Sequence, residues 1–215
     1  MQTPFLTIAI LAVGLIMNNF LSTPLTAQNL SHEPLESSFQ AAKDALIRKI
    51  QNRGDLPYIS VTKQLELLEQ LTEFELGRFL IERGGLNGYW THYVITHPNQ
   101  GRCSGLNTYG QPFHPLETFI LDSSPYALAT QQRFSLFKTQ IQQYLHEGCS
   151  IASVPSGLMA DLLDLDYSSF QTFTLHGIDL DQETLHQAES YAEKKHLLQH
   201  CHFSVITPLP KGKGF

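Results

Sequence analysis

The change of hydrophobic period after Gly148 constrains this chain more than any other feature. Cys149 to Val154 is a short run of small and apolar residues that reads as a buried parallel strand. Ser156-Gly157 makes a turn, and Leu158 to Leu165 reads as a helix. Phe173 to Asp179 is a second strand. Gln182 to Gln199 is a second helix, with Leu185, Ala188, Ala192 and Leu198 along its apolar face, and His202 to Ile206 a third strand. Strand, helix, strand, helix, strand is the pattern of parallel pairing through helical crossovers. The predicted fold class is α/β: an incomplete Rossmann-like parallel sheet, first strands only, preceded by a helical N-terminal region.

That helical region is read from 3.6-residue periodicity. Leu35, Phe39, Ala42, Leu46, Ile47 and Ile50 share one face, and Gly54 and Pro57 end the pattern. Val61, Leu65, Leu68 and Leu71 carry a second helix. Thr72 with Glu75 reads as a capping box for a third, which runs through Phe74, Leu76, Phe79 and Leu80 to Gly84-Gly85. Gly88 to Tyr93 is aromatic and irregular, and Pro98 to Gly110 is rich in turn residues. His114-Pro115 opens a short helix through Leu116, Phe119 and Ile120. A longer one puts Phe134, Phe137, Ile141, Tyr144 and Leu145 on one face and stops at Gly148. The expected organisation is therefore 1–27 an apolar signal-like or extension segment, 28–147 helical, 148–206 the half-sheet, and 207–215 a loose tail.

Bulk properties bound the function. At 215 residues, 42% hydrophobic and 16% charged, the chain is that of a folded protein with room for one ordinary domain and an extension. A formal net charge of -6 carries no nucleic-acid signature. Cys103, Cys149 and Cys201 have neither disulfide nor zinc spacing, and His196, His200 and His202 lack a second ligand cluster, so no metal is expected. Phe5 to Met17 is apolar and long enough for the core of a signal peptide, with Leu25-Thr26-Ala27 as a cleavage site, yet no Lys or Arg precedes it. Signal peptide and packed N-terminal extension both stay open, and membrane contact is expected only through this segment if it is retained.

Doubly wound sheets bind ligands at the carboxyl ends of their strands. The first turn must let a ligand approach the backbone, and an acid after the second strand takes ribose hydroxyls. Ser153-Val154-Pro155-Ser156-Gly157 supplies that turn and Asp179 that acid, so the chemistry read from the residues is nucleoside binding. Asp179 has a second reading as the N-cap of the helix beginning near Gln182. Gly88-Tyr89-Trp90 reads as core or as the wall of a substrate pocket.

The run Ile151 to Met159 resembles the first motif of class I S-adenosylmethionine-dependent methyltransferases, and Gly177-Ile178-Asp179-Leu180-Asp181 resembles the motif that follows it. Gly85 to Trp90 and Ser150 to Leu175 look like a subgroup with a helical N-terminal region. The resemblance implies S-adenosylmethionine as cofactor. Ser153, Val154, Pro155, Ser156 and Gly157 would hold it, Asp179 would take its ribose, and Leu180 would lie against its adenine. It departs from the pattern at Ser153, which stands on the acid position, at Pro155, which stands on the first glycine and lacks an amide donor, and after Ser204, where an acid for the adenine amino group is missing. The acceptor it implies is a small molecule or a protein, the location is cytoplasmic, and no catalytic residue is named. Strands beyond the third are not found, so the resemblance implies a domain truncated at its C-terminus. Cofactor binding by this chain is accordingly expected to be weak or lost, which micromolar affinity in isothermal titration would overturn. Two alternatives stand beside this one: an exported helical protein that binds a partner without catalysis, and a dinucleotide-dependent oxidoreductase, which Pro155 and Met159 fit poorly.

Overall fold

The computed structural model describes residues 38–206. Segment 1–27, Leu35 and the 207–215 tail lie outside them. The described chain has a mixed α/β fold in which a helical region precedes a three-stranded parallel sheet. It divides into two compact units, 38–86 with 94–131, and 87–93 with 132–206. The sheet unit is thus larger than 148–206, because it takes in Asn87–Tyr93 and Gln132–Gly148. Among the described residues no helix is long and apolar enough to cross a membrane.

The first unit is built from α1 (Phe39–Arg53), α2 (Val61–Leu71), α3 (Glu75–Arg83), the end of α4 (Gly88–Thr96), α5 (Gly101–Ser104), α6 (Pro115–Ser123) and the start of α7 (Pro125–Gln142). Ser38 caps α1 by accepting from the Ala41 amide, and Gly54 closes it at φ 77°. Ser60 caps α2 in the same way. The expected capping box does not form. Thr72 instead ends α2, donating its hydroxyl to Glu69 O at 2.7 Å, and α3 starts at an uncapped Phe74. The chain turns too tightly between the helices for one residue to serve both. Leu67, Leu68, Leu71, Leu76, Leu80, Ile81, Leu116, Ile120 and Leu121 are among the buried apolar residues of this unit. Gln131 crosses it with its amide, donating to Val94 O and Leu121 O and so satisfying two buried carbonyls.

The second unit holds β1 (Cys149–Ser153), α8 (Ala160–Leu163), β2 (Phe173–Asp179), α9 (Gln182–Lys194), a 3₁₀ turn at Leu198–His200, and β3 (Cys201–Val205). The sheet order is β1-β2-β3, all parallel, with Ser153 beside Gly177 and Asp179 beside Val205. One face carries the core: Cys149, Phe173 and Leu175 meet Met159, Leu162, Leu163, Tyr167 and Ala192, with Ile141 and Leu145 packed on its rim. Gly177 lets the Phe203 ring and Met159 close over β2, since a Cβ would lie 2.7 Å from that ring and 3.0 Å from Met159 Sδ and would displace them.

Four expectations change. The strands are buried on one face only: Ser150, Ala152, His202 and Ser204 are exposed, and His176 is half-buried, stacked on His202 and bonded to Ser150. Polar residues on alternate positions make this a one-sided sheet rather than the two-sided one that parallel pairing suggests. Second, the face read through Tyr144 splits: α7 ends at Gln142, before Tyr144, and both Tyr144 and Phe137 within the helix are exposed. Third, α9 stops at Lys194, where Lys195 caps it and His196 turns left-handed at φ 58°. Fourth, Gly88 to Tyr93 is helical.

Candidate functional site

β1 and β2 deliver two short segments to one end of the sheet. Beyond Ser153 the chain bends through Val154, Pro155, Ser156 and Gly157, with a cis Val154–Pro155 peptide and Gly157 at φ 50°. The Ser156 amide donates to Ile178 O at 2.9 Å, which ties the bend to the tip of β2. Asp179 finishes the tie. Its Oδ2 accepts from the Gly157 amide at 2.8 Å, and its Oδ1 from Leu180 and Asp181 at 2.8 and 3.2 Å. Asp179 is only 6% exposed, so three amides rather than water solvate this carboxylate. Helix capping falls to Asp181, which accepts from the Glu183 amide and the Thr184 hydroxyl. Asp179 stands at the tip of β2 and does not cap α9.

The residues around this tie differ in exposure. Val154 and Leu180 are exposed apolar side chains at the tips of β1 and β2, and Val205 and Ile206 are the same at β3. Ser153 and Ser156 are buried. Asn87 and Gly88 join the site from outside the sheet: the Asn87 side chain accepts from the Trp90 amide, and Gly88 lies against Gly157 and Thr184. A Cβ on Gly88 would stand 2.4 Å from Thr184 Cγ2 and 3.2 Å from Gly157 Cα. Trp90 itself is buried, edge-on to Tyr93, which is a packing role.

Sequence reasoning missed Asp161. The Ser153 hydroxyl donates to its Oδ2 at 2.8 Å, so a carboxylate from α8 reaches the residue that ends β1. Burial pushes its carboxyl above the usual range, against the hydrogen bonds from Ser153 and backbone that lower it. The only signal in the sequence was an acid eight residues after a strand end, which is too common to single out.

Charge defines what this end can hold. Asp161, Asp179, Asp181 and Glu183 lie in segments 153–161 and 177–184, which contain no Lys or Arg, nor do 87–93 and 203–206. An anionic pyrophosphate would meet carboxylates and no cation. A nucleoside carrying positive charge would meet complementary charge, hydroxyl acceptors and exposed apolar side chains. Pro155 offers no amide, and the Gly157 amide is already spent on Asp179.

Two other clusters lie away from the strand tips. A groove of about 430 Å³ is lined by Asp164, Tyr167, Phe170, Phe173, Lys195 and His200, residues at or just before the amino ends of β2 and β3. Its wall is a stack in which Phe173 sits between Tyr167 and His200, 4.2 and 4.0 Å away, and Lys195 is paired to Asp164 at 2.6 Å. Near it, the His92 ring meets Tyr191 edge-on, and Tyr191 donates to Asp164. The histidines read together in the sequence part company: His196 is in a turn, His200 in the stack and His202 on β3. Among the described residues no three His, Cys, Asp or Glu converge as a metal site.

The chain is similar to the crystal structure of a possible exported protein from Bordetella parapertussis, with a TM-score of 0.69 and 34% identity. The match covers 84% of this chain and 56% of that one, so this chain spans little more than half the length of the protein it resembles. No protein-family model matches the sequence, and no curated protein matches it.

Burial also lowers the proton affinity of His92, while Asp164 acts to raise it and Lys195 to lower it. A histidine with a depressed folded-state pKa contributes stability above its unfolded value that is lost as pH falls. Thermal unfolding followed between about pH 7.5 and 5.5, across the ordinary histidine range, should show a falling melting temperature whose slope is smaller in His92→Phe. An identical slope in the variant would remove His92 from the acid response.

Proposed function

We propose that this chain carries the nucleoside-binding half of an S-adenosylmethionine-dependent methyltransferase domain. The observation that carries the reading is the 2.8 Å bond between Gly157 N and Asp179 Oδ2, which joins the bend and the acid at the tips of adjacent parallel strands. In this reading Asp179 presents its remaining acceptor capacity to a ribose hydroxyl, Val154 and Leu180 flank the adenine, and Ser153 to Gly157 shape the turn. The bound cofactor would supply a methyl on sulfonium for in-line transfer to an acceptor, a small molecule or a protein. Such transfer rests on positioning and exclusion of water, so no general base need be named. The absence of Lys and Arg from the strand-tip segments supports this cofactor over a dinucleotide.

The test is a titration of the ¹⁵N-labelled chain followed by NMR. S-adenosylmethionine should move the Gly157, Leu180 and Asp181 amides with a Kd between about 100 µM and 1 mM, while NADH leaves them in place. Shifts confined to other regions would end the nucleoside reading.

A second reading, an exported protein that binds a partner without catalysis, is favoured by the similarity to a possible exported protein and by the apolar Phe5–Met17 run. Mass spectrometry of the mature N-terminus decides the location: cleavage after Ala27 supports export, and an intact Met1 supports the cytoplasm.

A further inference from the structure

The groove at the amino ends of β2 and β3 takes no part in the nucleoside reading. Its volume of about 430 Å³ is that of a small-molecule site. Leu163, Leu165 and Leu197 give it apolar surface, and half-buried Phe170 and the Tyr167–Phe173–His200 stack give it aromatic surface. Successive rings of the stack are inclined by only 13° and 20°, and half-buried His200 ends it. Such a lining favours a flat ring over a bulky aliphatic body. Charge then selects among flat ligands. Asp164, the sole acid among the described lining residues, is already matched. Its Oδ1 accepts from Lys195 and from Tyr191, both at 2.6 Å, and its Oδ2 faces Lys138 at 3.9 Å. Exposed Asp166 and Glu147 hold the Ser168, Gln171 and Thr172 amides, and water screens their charge. One lining carboxylate thus meets two ammonium groups. The Lys195 side chain is 39% exposed and its ammonium carries three N–H groups, so donors remain for a ligand. A cation would find no unmatched acid among the described lining residues, whereas an anion completes the balance.

We propose that this groove binds a small planar aromatic carboxylate, its ring against Phe170 and His200 and its carboxylate on Lys195. The site goes beyond the nucleoside reading and does not rest on it. β2 runs from Phe173 at the groove to Asp179 at the strand tip. At about 3.3 Å per residue that is about 20 Å. Methyl transfer needs reacting atoms about 3–3.5 Å apart, so the ligand held here is not the methyl acceptor.

Three probes separate charge from ring: 2-naphthoate, its neutral amide 2-naphthamide, and the saturated decahydro-2-naphthoate. In amide-shift titrations of the ¹⁵N-labelled chain, 2-naphthoate should move Phe170, Phe173, Leu197 and His200 with a Kd on the order of 100 µM to 1 mM. The Gly157 and Leu180 amides should stay in place. 2-Naphthamide and the saturated acid should each bind about 5- to 10-fold more weakly. Lys195→Met should bring 2-naphthoate down to the level of the amide while 2-naphthamide stays within about twofold of the parent. That unchanged neutral ligand shows the variant to be folded, and Lys195→Arg, which keeps the cation, should restore the preference for the acid. Equal affinity of 2-naphthoate and either comparison compound, shifts confined to other regions, or no shift at about 5 mM would overturn the proposal. So would a Lys195→Met protein that still prefers the acid. Each of these results leaves the S-adenosylmethionine titration at the strand tips unaffected.

Discussion

Asp179→Ala should destabilise the sheet unit by about 4 kcal/mol and abolish amide shifts with any adenosine ligand. The carboxylate accepts three backbone amides in a position only 6% exposed, and alanine replaces none of them. Hydrogen bonds to a charged acceptor contribute about 1.5–3 kcal/mol each. Leu180 is exposed, so its amide and that of Asp181 can recover water, which brings the sum down. Gly157 recovers less easily, because it is half-buried against Gly88. Asp179→Asn keeps one acceptor oxygen and should cost about half as much. Urea unfolding of the three proteins measures the difference. A loss below about 1 kcal/mol for the alanine variant would mean that the bend holds itself, and that the carboxylate is not its tie.

Gly77→Ala should produce the other large effect, in the helical unit. A Cβ there would lie 2.2 Å from Leu71 O and 2.9 Å from Leu71 C and Cα. The obstacle is backbone at the last turn of α2, so no side-chain rotation relieves it. Either α3 moves away from α2 or the end of α2 unwinds, and both disturb Leu68, Leu71, Leu76 and Leu80 in the core. Overpacking of this kind costs about 3 kcal/mol, at the upper end of its usual range. For a unit of this size that lowers the melting temperature on the order of 15 °C. Circular dichroism during heating checks it, and a change under about 2 °C would show that the two helices separate freely. The expected loss in Gly77→Ala should leave the strand-tip amides of folded protein unchanged at low temperature.

Much of the fold could be read from the residues because their period is local. Apolar residues every three or four positions predict α1, α2, α3 and α6, and each of those helices begins and ends within a few residues of its expected limits. The strands were legible as short apolar runs, and their parallel pairing follows from the helices between them. The errors have physical causes. Thr72 and Glu75 satisfy the spacing of a capping box, but the hydroxyl found a nearer carbonyl in the preceding helix. Aromatic residues at Gly88 to Tyr93 disguise a helix whose first turn is stabilised by Asn87.

The site was legible only in part. Asp179 and the Ser153–Gly157 bend stood out because both follow apolar strands. Asp161 did not, since its importance comes from a neighbour 8 positions away, and Gly88 was read as core or pocket wall while its contact with Gly157 spans 69 positions. What the linear chain determined by itself was periodicity, and with it the succession of helices and parallel strands. Tertiary structure alone decided which carboxylate ties the bend, which one lies beside Ser153, and which face of the sheet is open. Periodicity is set by each residue's own backbone and immediate neighbours, whereas desolvation and charge pairing depend on groups that only folding brings within 3 Å.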